Sequence, residues 1–170
     1  IDNASFESPV VDPNAFAALP YADGWTELDV DIEAGTNTGV FANTPEGSPD
    51  HLLNADGSQL AFLGSQEGNG FEQVLDSVYV PGCGYRLTVA VGLSALFPPS
   101  SDEPIDTVEL SLFYVDGPNS VEIVRETIRS ADLSSTQLRD FSTHLSTVDV
   151  NDAWASKPIG VAIRAAGQAG

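Results

Sequence analysis

Short runs of alternating apolar and polar residues dominate this chain, and a period of two marks strands with one buried face. In YRLTVAVG (85–92), Tyr85, Leu87, Val89 and Val91 share one face, with Arg86, Thr88 and Ala90 on the other. DTVELSLFYV (106–115) turns Val108, Leu110, Leu112 and Tyr114 inward and Glu109, Ser111 and Phe113 outward. KPIGVAIRAA (157–166) groups Ile159, Val161 and Ile163, with Arg164 opposite. GWTELDV (24–30), QLAFLG (59–64), FEQVLDSV (71–78), SVEIVRETI (120–128) and the less regular RDFSTHLSTV (139–148) read as further strands. The DGPN turn at 116–119 has the residues of a tight hairpin connection. Only ADLSSTQLRD (131–140) has room for a short helix, capped by Asp132 or Ser134. Near the start, Phe6 and Glu7 read as part of an edge strand, where adjacent side chains point to opposite faces. The pattern predicts an all-β fold of eight or nine strands, an antiparallel two-sheet β-sandwich of the jelly-roll kind.

The 170 residues suit one domain, 1–170, and 42% hydrophobic residues suffice for a packed core. Gly and Pro are scattered, with no linker block or repeat. Two longer polar connections, 42–58 and 96–106, read as surface loops. Charge narrows the partners. There are 25 Asp and Glu against 6 Lys and Arg, a net charge of -19. Such a field repels nucleic-acid phosphates and anionic membranes and attracts cations. No apolar run reaches the roughly 18 residues of a membrane span. The first residue is Ile1 rather than Met, which reads as a mature or trimmed chain; a removed signal peptide is consistent with it and gives the expectation of a secreted or cell-surface protein, while a trimmed cytosolic chain would begin the same way. Cys83 is the only cysteine, so no intramolecular disulfide forms. His51 and His144 match no zinc spacing, and no nucleophile motif is present.

Two groups of residues are candidates for chemistry. Arg86, Glu109, Phe113 and Arg164 stand on outward strand faces in a chain poor in cations, with Trp25 and Tyr21 at the edge. They suit a face that stacks an aromatic ring on a sugar or other polar ligand and directs hydrogen bonds to it; Glu109 pairing with the arginines across strands is the purely structural alternative. Trp154 is a further aromatic candidate. Glu7, at a sheet edge near backbone carbonyls, suits calcium, which takes 6–8 oxygen ligands. Asp56, in the loop before 59–64, is a second candidate ligand. NADGSQ (54–59) lacks the closing acid of a calcium loop and reads as a turn, and DVDIE (29–33) as a solvated strand edge.

The ordered series NASFESPV, DGW, GVF, DGSQLAFLG, FEQVL and GYRLTVAVG resembles the galactose-binding-like jelly-roll domains of exported bacterial proteins, many with PEP-CTERM sorting tails. The same frame is similar to the cyanobacterial Stig cyclases and, more distantly, to carbohydrate-binding modules. The resemblance covers residues 3 to 92 and implies a structural calcium held by Glu7, with Asn3 in the motif and a C-terminal Asp completing the site. This chain stops at GQAG, before a strand of the D-N-V-R-L type, so the expectation is either that the protein continues beyond Gly170 or that the last strand of the domain is absent. The cyclases look to carry a catalytic tyrosine in the strand at 59–64, where this chain has Phe62. A phenyl ring cannot donate a proton. The resulting expectation is a secreted, calcium-stabilised, non-catalytic module for carbohydrate or a cell-surface polymer. The alternatives are a cyclase-like enzyme with an aromatic pocket and an acid catalyst, and a structural envelope protein.

Overall fold

The computed structural model of the protein describes residues 1–13, 18–28, 38–64, 66–93 and 107–167. Among the described residues there are nine strands: β1 (Thr26–Leu28), β2 (Thr38–Ala42), β3 (Gln59–Leu63), β4 (Gly70–Val78), β5 (Tyr85–Val91), β6 (Thr107–Asp116), β7 (Asn119–Arg129), β8 (Arg139–Leu145) and β9 (Pro158–Ala166). They form an antiparallel five-stranded sheet in the order β1-β4-β9-β6-β7, with two separate pairs, β2-β3 and β5-β8. Bridges from Leu19 to Val40 and from Leu53 to Gln137 tie the smaller pairs to neighbouring segments. The result is the β-sandwich that the alternating pattern predicts.

The inward residues of β5, β6 and β9 are the expected ones. Leu87, Val108, Leu110, Leu112, Ile159, Val161 and Ile163 are buried together with Val40, Phe71 and Tyr79. Burial of such side chains stabilises by about 1.5–3 kcal/mol each. A smaller cluster of Phe41, Leu52 and Leu60, with Phe62 beside it, sits apart. The DGPN stretch makes the β6–β7 hairpin, and a bulge between Leu112 and Phe113 shifts its register. β7 forms one margin of the large sheet, with most of its residues exposed.

Three readings change. β2 carries only the GVF of the motif series; it is buried on both faces, so its residues show no alternation. The expected helix at 131–140 is a single 3-10 turn at Ser130–Asp132, without a side-chain cap. The opening stretch is no strand. Asn3 and Phe6 both have positive φ, and the Phe6 N–H closes a turn on the Asn3 carbonyl at 3.1 Å. Phe6 does reach the core, stacked on Trp25 at 5.1 Å and tilted against Phe71. The segment is a strap over the sandwich. The 29–33 run, the whole of the 96–106 loop and the chain's last three residues lie outside the described residues.

Candidate functional site

The outward face of the large sheet is built from strand register. Gly70, Arg164 and Glu109 lie side by side in one row; Glu72, Ala162, Ser111 and Arg125 form the next; Val74, Gly160, Phe113 and Glu122 form the third. Small residues let long neighbours lie flat. A Cβ at Gly70 would strike the Ile163 carbonyl and the Arg164 stem, and a Cβ at Gly160 would enter the Phe113 ring. Arg164 leans towards β4, and its Nη2 donates to Glu72 Oε2 at 3.1 Å. Arg125 donates from Nη1 to Glu109 Oε1 at 2.8 Å and from Nε to Glu122 Oε1 at 2.9 Å. The hydrogen bond with Glu109, reinforced by its charge, raises the Arg125 pKa. The face therefore carries a network of alternating charge, Glu72–Arg164 and Glu109–Arg125–Glu122, above the buried Ala162 and Ser111.

Not every group in this network is satisfied. Arg164 Nε is buried with no hydrogen-bond partner. Glu72 uses one carboxylate oxygen on Arg164, and Oε1 has no partner among the described residues. Beside Val74, at the edge of β4 beyond its pairing with β1, lies a hollow of about 200 Å³ lined by Ile1, Asp2 and residues 73–77.

The residues expected to bind ligand are thus only partly gathered. Glu109, Phe113 and Arg164 share this face. Arg86 lies on β5 opposite His144, in a different sheet pair. Trp25 is buried, with its Nε1 donating to the Asn3 carbonyl at 3.2 Å and its ring at the Phe6–Phe71 contact, so it is core and not an edge platform. Phe113 is 2% exposed, its ring over Gly160. Tyr21 is exposed. Trp154 is packed against the core with its Nε1 buried and unpartnered. Glu72 escaped the sequence reading, although its outward position next to inward Phe71 could have flagged it.

The residues expected to hold calcium occupy the strap and the turn it meets. Glu7 Oε1 accepts from the Ser58 and Gln59 backbone N–H groups at 2.9 and 2.7 Å, and Oε2 accepts from Ser58 Oγ at 2.8 Å. Asn3 donates to the Ser8 and Asp23 carbonyls at 2.6 and 2.9 Å and accepts from Ser8 N. Asp56 is exposed, one residue before Gly57, whose φ of +113° brings its backbone against the Glu7 carboxylate. Among the described residues, no three His, Cys, Asp or Glu side chains converge as a metal group.

The decisive comparison is with protein families: a model described as HpiC1-like, HpiC1 cyclase, matches residues 1–167. The chain belongs to the HpiC1-like family. Solved cyclases share its fold. A Stig cyclase, Fisc, from Fischerella sp. TAU, in complex with (3Z)-3-(1-methyl-2-pyrrolidinylidene)-3H-indole, superposes with a TM-score of 0.76 at 20% identity, over 99% of this chain and 87% of that one. A cyclase from Fischerella sp. TAU in complex with 4-(1H-indol-3-yl)butan-2-one gives 0.75 at 20% identity, with the same coverage. An apo cyclase from Fischerella sp. gives 0.72 at 20%, over 99% and 86%. No curated protein matches the chain. Membership of the HpiC1-like family overturns the non-catalytic, carbohydrate-binding reading and favours the cyclase alternative. That reading failed because Phe62, taken as evidence against cyclase chemistry, belongs to the small core cluster and says nothing about where a proton donor stands. Among the described residues, no helix is long and apolar enough to cross a membrane.

Proposed function

We propose that this protein is a cyclase that closes a ring on an indole-type small molecule. The observation that carries the reading is the HpiC1-like match across residues 1–167. The indole compounds in the complexes of two Fischerella cyclases of the same fold support the ligand class. Ring closure through a cationic intermediate needs a group that moves a proton and negative charge near the developing cation. Glu72 and Glu109 offer both on the outward face of the large sheet, each steadied by an arginine on a neighbouring strand. Arg164 and Arg125 fix where the carboxylates stand, and Ala162 and Ser111 supply a floor without bulk.

The test is turnover. An indole with an unsaturated chain at its 3-position is incubated with the protein, and the products are separated and examined by NMR. Cyclisation gives an isomer of unchanged mass with new ring protons, formed in proportion to enzyme and absent with heat-denatured protein. No isomer, together with no binding of 4-(1H-indol-3-yl)butan-2-one, overturns the reading.

A further inference from the structure

We infer that the ligand lies along β4, its flat apolar ring on Val74 and its N–H donating to Glu72 Oε1, with Arg164 as the residue that positions Glu72. The inference rests on the cyclase reading for its ligand class and adds the place and orientation of binding.

Four observations lead there. Glu72 and Val74 are two residues apart on one strand and share the outward face, so their side chains stand about 7 Å apart. That spacing suits an apolar bicycle with its donor at one end. Val74 is 49% exposed, opposite Gly160, and it borders the hollow at the β4 edge. Glu72 holds one oxygen against Arg164 and leaves the other without a partner among the described residues. The hollow also carries Asp2 and Asp76, so an anionic ligand is disfavoured and a neutral or cationic donor is favoured. Arg164 is the positioning element: Gly70 gives its stem room to lie flat, which delivers Nη2 to Glu72 and fixes the direction of the free oxygen.

The experiment uses two probes, 4-(1H-indol-3-yl)butan-2-one and its N-methylindole analogue, which lacks the N–H. Affinities are measured by calorimetry on the whole chain and on folded variants checked by circular dichroism. The wild type should prefer the N–H compound by about tenfold, the weight of one hydrogen bond to a charged acceptor. Glu72→Gln should abolish most of that preference. Val74→Lys should weaken both compounds alike. Arg164→Met should erode the preference, and Arg164→Lys should restore part of it, which a purely structural loss would not do. Equal binding of the two probes by the wild type, or a preference that survives Glu72→Gln, overturns the inference and leaves the cyclase reading standing. If neither probe binds, the inference falls; turnover in the cyclisation assay then decides separately whether the cyclase reading falls with it.

Discussion

The N-terminal strap and the outward face of the large sheet are both rich in polar side chains, yet they are wired in opposite ways. In the strap, each polar group that holds the segment is answered. Gln59 donates to the Phe6 and Pro9 carbonyls at 2.8 and 2.9 Å and accepts from Val11 N–H. Gln73 takes the Asp2 N–H at 2.9 Å and gives to the Asp2 and Gly24 carbonyls. Each glutamine side chain does for irregular backbone what a neighbouring strand does for a strand. On the outward face, by contrast, a guanidinium nitrogen is buried without a partner and a carboxylate oxygen is left over. Complete pairing stabilises a fold, whereas an unanswered polar group costs stability and persists where something other than stability uses it.

Substitutions sharpen this contrast. The largest effect is expected for Gln59→Leu, which orphans one N–H and two carbonyls at a site 3% exposed. It should cost about 3 kcal/mol in urea unfolding, with probe affinity unchanged at the protein's working temperature. A loss under 1 kcal/mol would mean that water can answer the strap as well as glutamine does. Gly160→Val forces a side chain into the Phe113 ring and should cost about 1–3 kcal/mol as overpacking. An unchanged midpoint would show that Phe113 is free to swing away.

Glu7→Gln separates two roles of one carboxylate. Loss of its three accepted hydrogen bonds in charged form predicts a stability loss of about 1–2 kcal/mol that is equal in calcium and in chelator. The calcium role predicts that calcium raises the melting temperature of the wild type and that the variant loses this gain.

Tyr79 gives a prediction in pH. Burial pushes its pKa up from 10.0, with Tyr85 adding to the rise, and its hydroxyl donates to the Phe113 carbonyl at 3.0 Å. A raised folded value means that the unfolded chain ionises first. The stabilisation is complete below the ordinary tyrosine value and fades as pH climbs above it. Tyr79→Phe should flatten this alkaline loss; an identical slope would assign it to other groups. The smallest effect is expected for Arg125→Ala, since the arginine is half exposed and its two pairs lie near solvent. It should cost under about 1 kcal/mol, less at high salt.

Much of the sandwich was legible in the chain because period 2 survives wherever a strand is long enough to repeat. β5, β6 and β9 display it and sit with the expected faces inward. β2 is buried on both faces and so does not alternate, and the strap has no period because side chains, not a ladder, hold it. Even so, Gln59 and Gln73 were polar residues among inward apolar ones, the mark of a buried group with assigned partners. The outward face was half legible. Glu109, Phe113 and Arg164 were visible as outliers on single strands, but Glu72 joins them only through the register of β4 against β9. No local pattern encodes which strands are neighbours, so Arg86, equally outward in its own strand, could not be told apart from Arg164 beforehand.

The long β7 strand also bears on how the protein behaves in a crowd of its own copies. Its outer backbone has no strand beside it among the described residues, which makes it a template for aggregation. Glu122, Arg125, Glu126 and Arg129 along it, and the bulge opposite Leu112 and Phe113, make a flat, neutral join to another chain costly. Replacing those charges with threonines would leave the monomer's core untouched and invite fibrils.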